Sequence, residues 1–212
     1  MVRRLAGVVI AVAAIVATIL ATAVVSPGAA GAAARAPVHT YTFPIHGCSA
    51  SYGHSHHDYP ATDIFARYGC RFVAPIAGRV DEVSRVDRWR PGTNRGADRG
   101  GLSVSIIGTD GVRYYGSHLS RIAAGIKRGV AVRRGATLGY VGHSGDASAT
   151  HLHFGVSWPT PRGTWWVRRG EVWPWRFLDA WRSGHVHRTP VVAVHAERAK
   201  AGRTVPRCRV DC

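Results

Sequence analysis

The stretch "LSVSIIGTDGVRYYGSHL", residues 102–119, contains two runs of apolar, β-branched and aromatic residues on either side of a turn sequence. In the first run Leu102, Val104 and Ile106 alternate with small residues, so an extended chain would place them on one side. The segment "TDG" at 109–111 is a hairpin signal, because Asp and Gly favour tight turns. The stretch therefore predicts a β-hairpin.

Short runs of the same kind recur along the chain, separated by glycine-bearing turns. They are "GRVDEV" at 78–83, "GVAVRRGATLGYVG" at 129–142 and "THLHFGVS" at 150–157. No long stretch has a convincing 3.6-residue apolar period, although "RFLDAWR" at 176–182 is typical of a short closing helix. Strands at this spacing predict an antiparallel all-β body.

The N-terminus predicts export. After the basic start "MVRR", 21 uncharged residues run from 5 to 25, and a turn and small residues follow. This order is typical of a signal peptide, which we place at 1–32. The alternative is an uncleaved membrane anchor, because about 20 apolar residues span a bilayer. Either way we expect the body of the protein in the cell envelope or secreted.

The remaining 180 residues suffice for one domain with extensions. We predict a linker at 33–44, a domain at 45–183 and a basic C-terminal tail at 184–212. Lys and Arg outnumber acids 28 to 12, which favours anionic surroundings such as cell-wall polymers. Export, and the lack of a basic stripe interleaved with aromatics, argue against nucleic acid as a partner. We expect a monomer that contacts membrane only if the N-terminal segment stays attached.

Four cysteines in an exported chain predict two disulfides. Three pairings are open. We favour Cys48–Cys70 and Cys208–Cys212, because the members of each pair are close in sequence. A zinc site made of all four is disfavoured, because no Cys-x-x-Cys motif is present.

The hexamer "THLHFG" at 150–155 carries the strongest signal for chemistry. In a strand His151 and His153 emerge on one face, while Leu152 and Phe154 face the core. Two imidazoles at this spacing suit a metal site, although His-x-His alone is also common on strand surfaces.

Further candidate groups come from "GHSHHDYPATD" at 53–63 and from His118 in "YYGSHL" at 114–119. A catalytic zinc takes three protein ligands and leaves a position for water, whose pKa it lowers to about 7. A histidine beside that water can act as a base, and another can stabilise the charge on an attacked carbonyl.

The order His…Asp, then Tyr-x-x-His-Leu, then His-Leu-His-Phe resembles the zinc metallopeptidases of the lysostaphin/LytM type, family M23. "DIFARYGCRFVAPIAGRV" at 63–80 and "VWPWRFLDAW" at 172–181 resemble further motifs of that family, so the likeness covers about 45–181. It implies an antiparallel barrel-sandwich hybrid, a duplicated hybrid motif, with a loop-walled active-site groove. It also implies hydrolysis of peptide bonds in peptidoglycan stems or cross-bridges through a zinc-activated water.

Carried over by motif, the resemblance implies that Asp63 and His153 are zinc ligands together with one histidine of 54–57. It implies that His151 takes the proton from the water and that His118 stabilises the developing charge.

The first ligand departs from the family pattern, which places a histidine four residues before the aspartate. Tyr59 occupies that position here. If the segment is extended, an even separation keeps His57 on the same side as Asp63, whereas His56 has the opposite parity. We therefore predict His57 as the first ligand and keep His56 as the alternative.

A competing reading is a non-catalytic M23-like module that binds the wall and activates another hydrolase. The altered first spacing favours it, whereas the presence of Asp63, His118, His151 and His153 favours the enzyme. Which bond is cut stays open among polyglycine bridges, D-Ala–diaminopimelate links and stem-peptide bonds. Trp165 and Trp166 begin an aromatic cluster that suits core packing as well as glycan contact.

Overall fold

The structure is a computed structural model that describes residues 38–202. The predicted signal peptide at 1–32 and the predicted Cys208–Cys212 pair lie outside these residues. The strands are β1 Ile45–His46, β2 Ala50–Ser51, β3 Thr62–Ala66, β4 Arg71–Val73, β5 Gly78–Ser84, β6 Ser103–Gly108, β7 Arg113–Ser117, β8 Leu119–Ile122, β9 Ala131–Val132, β10 Thr137–Val141 and β11 His151–Ser157. The helices are a 3-10 turn at Gly96–Asp98, α1 Trp165–Arg168, α2 Trp175–Arg182 and α3 Val191–Ala201.

The strands form two sheets. The small sheet has the order β1-β4-β10-β8, and the large sheet has the order β2-β3-β11-β7-β6-β5-β9. Strand pairs throughout residues 38–202 are antiparallel. The predicted antiparallel β class is therefore confirmed. Neither sheet closes on itself within the described range, and the helices lie towards the C-terminal end.

The hairpin predicted at 109–111 joins β6 to β7. The Gly108 N–H donates to the Val112 carbonyl at 2.8 Å, which leaves a three-residue loop between the strands. Gly111 has φ of 77°, the left-handed conformation that a loop of this length requires and glycine adopts easily. The side chain of Asp110 accepts the Val112 N–H at 3.1 Å. The turn chemistry thus fixes the register of the central strand pair.

A single apolar core draws side chains from both sheets. Phe72 of β4, Leu119 of β8 and Leu152 of β11 are fully buried in it. Gly116 of β7 permits this approach, because a Cβ there would meet the Phe72 ring at 2.4 Å. The small sheet therefore covers one face of the central strands in this region.

Packing crosses both predicted boundaries of the 45–183 domain. Tyr41 is fully buried and stacks on Trp181 of α2 with ring centroids 5.1 Å apart. Its hydroxyl donates to Asp110 at 2.8 Å and lies 2.8 Å from the hydroxyl of Thr189. Residues on both sides of the predicted domain thus belong to the folded body. None of the helices formed by residues 38–202 combines the length and hydropathy that spanning a bilayer requires.

The predicted disulfide between Cys48 and Cys70 is confirmed, with Cα atoms 6.0 Å apart. It closes a segment with a sequence separation of 22, which contains β2, β3 and the histidine-rich stretch 53–63. Cys70 is buried in the core beside β4. The bond therefore ties the histidine-rich stretch to the small sheet.

Replacing both Cys48 and Cys70 by alanine is expected to lower the free energy of unfolding by about 3 kcal/mol, because a loop of this length then regains its freedom in the unfolded chain. Urea denaturation followed by tryptophan fluorescence measures the change. An unchanged denaturation midpoint would contradict this account.

Candidate metal centre

Three potential ligands converge where β3 and β11 pair. His153 of β11 lies directly opposite Asp63 of β3 in the strand register, and His56 reaches the same place from the preceding loop. His153 Nδ1 is 3.1 Å from Asp63 Oδ1, and His56 Nε2 is 3.7 Å from that oxygen. The three ligand atoms lie within 4.8 Å of one another. Residues placed in this way can hold a metal ion.

The orientation of both imidazoles is set by backbone carbonyls. His56 Nδ1 is 3.0 Å from the Tyr59 carbonyl oxygen, and His153 Nε2 is 2.9 Å from that of Arg169. A carbonyl can only accept, so each of these nitrogens carries the proton. The other nitrogen of each ring then presents its lone pair to Asp63. This is the arrangement that fixes metal-ligating histidines in proteins.

Two more histidines border the cluster and are held in the same way. His118 Nδ1 donates to the Ser144 carbonyl at 2.8 Å, and His151 Nδ1 donates to the Ala149 carbonyl at 2.8 Å. Their ring centroids are 4.7 Å apart, and His151 Nε2 lies 3.6 Å from Asp63 Oδ1. In both rings Nε2 is left with a lone pair. His118 has φ of 61°, an uncommon conformation for a residue with a side chain, between the ends of β7 and β8.

Burial and mutual repulsion keep these imidazoles neutral. Burial, with the neighbouring His153 as the second cause, lowers the pKa of His56 to about 4 and that of His118 to about 3. Burial also lowers the pKa of His151. For Asp63 burial alone would raise the pKa, but the adjacent His153 and the other imidazoles of the cluster bring it below its ordinary value. At neutral pH the cluster offers lone pairs and one carboxylate charge, which suits a cation.

Of the five predicted site residues, the structure brings Asp63, His118, His151 and His153 together at the floor of one groove, whereas His57 lies at the exposed edge of that groove with its ring centroid 4.0 Å from that of His56. The His57 side chain is 67% exposed and pairs with Asp58 at 3.0 Å, whereas the His56 side chain is 2% exposed. Side chains alternate from face to face only where the chain is extended. β3 begins only at Thr62, and residues 57–60 form a series of bends, so side chains there do not alternate.

The cluster lies at the floor of a groove. Its walls come from the loop before β3, the 3-10 turn, the loop after β10 and α1. Among the wall residues that the sequence does not predict are Tyr59, Trp165 and Arg169. In the sequence Trp165 is only part of an aromatic run, and Tyr59 only a departure from a spacing. Their common position follows from tertiary packing of α1 against the loop, for which the sequence carries no local signal.

Replacing His56 by alanine is expected to weaken zinc binding strongly, because it removes a ligand. Loss of a residue that only orients a ligating histidine weakens binding by about 10- to 100-fold, and loss of the ligand should exceed that. His57→Ala is the matched control and is expected to retain zinc, because its imidazole points to Asp58 and solvent. Zinc content after dialysis, measured by atomic emission, decides between them. Retention in His56→Ala with loss in His57→Ala would overturn the assignment.

Replacing Gly155 by alanine is expected to weaken zinc binding about tenfold without a direct change to any ligand. A Cβ at this position would lie 2.2 Å from the Arg169 carbonyl oxygen, which orients His153. Gly92→Ala is the control, because a Cβ there meets nothing within 4 Å. Zinc affinity measured against a competing chelator tests the effect, and equal affinities in both variants would refute it.

Comparison with solved structures gives several similar folds at low sequence identity. The catalytic domain of the antimicrobial peptidase lysostaphin from Staphylococcus simulans is 24% identical, with a TM-score of 0.48, over 61% of this chain and 92% of that chain. A variant of the catalytic domain of the prophage-encoded M23 protein EnpA from Enterococcus faecalis is 26% identical, with a TM-score of 0.41, over 59% and 84%. A zinc-containing peptidase from Vibrio cholerae is 19% identical, with a TM-score of 0.42, over 55% and 36%.

No curated protein sequence matches the chain. The sequence model of peptidase family M23 matches residues 57–164, which is 108 of 212 residues. This match covers β3 to β11 and includes Asp63, His118, His151 and His153. The chain therefore belongs to peptidase family M23.

Proposed function

We propose that the protein is an exported, zinc-dependent endopeptidase that hydrolyses peptide bonds in the stems or cross-bridges of peptidoglycan. The observation that carries the proposal is the cluster of His56, Asp63 and His153 with the lone pairs of His118 and His151 beside it. Family membership supports peptidase chemistry. The presence of all five ionisable side chains that this chemistry would use supports its retention in this protein.

The donor set fits zinc. Two imidazole nitrogens and one carboxylate oxygen are ligands that catalytic zinc sites use, and three protein ligands leave room for a water. Zinc bound there would supply a Lewis acid that makes water a nucleophile near neutral pH. The two ligand histidines are fixed by the Tyr59 and Arg169 carbonyls, so the site is organised before the metal arrives.

The general base in this proposal is His151. Its Nε2 has a lone pair, lies 3.6 Å from Asp63 Oδ1 and therefore borders the ligand atoms. Because burial keeps the ring neutral, it can accept a proton from the attacking water at ordinary pH.

His118 requires a proton before it can stabilise negative charge. Its Nδ1–H is committed to Ser144, so the neutral ring has no N–H at Nε2. Negative charge on the attacked carbonyl oxygen would raise the pKa of His118, and Nε2 would then become a donor. The ring centroids of His118 and His151 are 4.7 Å apart, which supports a role for both rings at one reacting carbonyl.

The non-catalytic alternative was favoured by one feature, the absence of a histidine four residues before Asp63. His56 supplies an imidazole at the cluster from a longer loop, which removes that argument. Export through residues 1–32 would bring the enzyme to its polymer substrate, and the excess of basic residues suits an anionic wall.

The proposal is tested by incubating the purified protein with cell-wall sacculi and identifying new amino termini by mass spectrometry. We expect release of peptides by the zinc-loaded protein and its loss on treatment with a chelator. His151→Ala and His118→Ala are expected to keep their zinc but to lose about 100-fold or more of the rate.

His54→Ala is the control for the loss of a histidine near the groove. Its ring stacks on Trp175 and pairs with Asp179 outside the cluster, so activity should persist. If the protein binds zinc stoichiometrically but cleaves no sacculus preparation, the hydrolase proposal is contradicted and a binding module is favoured.

A further inference from the structure

Three arginines line the groove, and they differ in their partners. Arg99 pairs with Asp146 at 3.7 Å, and Arg168 pairs with Glu82. Arg169 forms an ion pair with none of the acidic residues between 38 and 202. The groove thus contains a cation beside the metal cluster whose charge the described part of the protein does not balance.

The surroundings of Arg169 prepare it for an anion. Its guanidinium lies over the Tyr59 ring, 3.9 Å from the centroid, and 5.0 Å from the Trp165 centroid. Its Nε is buried without a hydrogen-bond partner. Aromatic faces remove water from a guanidinium but leave its edge of N–H donors free. A buried donor without a partner is costly unless a ligand satisfies it.

The backbone of Arg169 is fixed with respect to the metal cluster. Its carbonyl accepts the His153 Nε2–H at 2.9 Å and lies against Gly155, where a Cβ would come within 2.2 Å. The next residue, Gly170, packs so closely on the Pro60 carbonyl that a Cβ would again lie at 2.2 Å. The guanidinium is therefore anchored beside the ligand His153, and an anion that it binds would lie next to the scissile bond.

The nearest acidic candidate within the loop is Asp58, which is engaged elsewhere. Its Oδ2 is 3.0 Å from His57 Nδ1 at the exposed rim. Arg169 acts on Asp58 only through longer-range attraction. Asp58 therefore leaves the donor edge of Arg169 available.

We propose that Arg169 binds a carboxylate of the substrate beside the scissile bond, so that the protein prefers peptides with a free carboxylate to uncharged cross-bridges such as polyglycine. The proposal rests on the proposed peptidase function and narrows its substrate class. A planar guanidinium matches a carboxylate through two parallel hydrogen bonds, which gives both affinity and orientation.

Two sources could present this carboxylate. One is the side-chain carboxylate of a diamino diacid at a branch point of the stem peptide, and the other is the terminal carboxylate of a stem. Both carry the same chemistry, so they are separated by substrate design. Three otherwise identical peptides are needed, with the free carboxylate at the branch, at the chain end, or at neither because both are amides.

The zinc-loaded wild-type protein is expected to cleave one of the two carboxylate peptides about 10- to 100-fold more efficiently than the diamide. Arg169→Gln should erase this preference mainly through KM, so that the three peptides are cleaved with similar efficiency. Arg169→Lys should retain part of the preference, because it keeps the charge but loses the paired donors. Titration calorimetry with the same peptides, on zinc-loaded His151→Ala with and without Arg169→Gln, gives an affinity readout independent of turnover.

Arg162→Gln is the matched control, since this substitution changes the net charge by the same amount. Arg162 is exposed and lies outside the groove lining. Arg162→Gln should preserve the preference, and all variants should retain zinc. Equal cleavage of the three peptides by wild type, or an equal loss on all three in Arg169→Gln, would overturn this inference alone. Failure of the wild-type protein to cleave any of them, or sacculi, would overturn the proposed function and this inference with it.

Discussion

The antiparallel pairing of β3 with β11 is the constraint on which the site depends. It sets His153 opposite Asp63, at the distance where side chains of facing strands touch. β11, which carries His153, also carries Leu152 and Phe154, and these two side chains are buried in the core between the sheets. A shift of one residue in register would place the imidazoles in the core and the apolar side chains in the groove. Core packing therefore enforces the register that assembles the metal ligands.

The strands alone would not orient the imidazoles. Each of the four groove histidines donates one N–H to a backbone carbonyl, and all four carbonyls come from outside the strands. A buried ring nitrogen without a partner would cost about 1–3 kcal/mol, so these loops satisfy a structural need and select the tautomer together. Glycines allow the close approach, as at Gly155 under the Arg169 carbonyl. The strands therefore set the distances between the ligands, and the loops set the orientation of the imidazole rings.

The parts of the site that the sequence predicted are those governed by strand periodicity. The hairpin at 109–111 and the shared face of His151 and His153 follow from local chemistry and a two-residue repeat. The structure has His56 at the cluster where the sequence predicts His57, because the preceding loop bends and side chains alternate in this way only within a strand. The groove wall from α1 could not be read from the sequence either. Its place depends on contacts between residues about a hundred positions apart, such as Gly170 with Pro60.

Arg168 and Arg169 show how neighbouring residues of one helix turn serve different ends. Successive side chains of a helix point about 100° apart, so one can face the sheet while the next faces the groove. Arg168 lies over Tyr115 at 5.1 Å and pairs with Glu82 of β5. Burial lowers its pKa to about 10, yet it stays charged at neutral pH and needs that acidic partner. The pair docks α1 on the large sheet, and this docking holds Arg169 over Tyr59. Glu82 balances the charge of Arg168. The charge of Arg169, beside the metal cluster, is then available to a ligand.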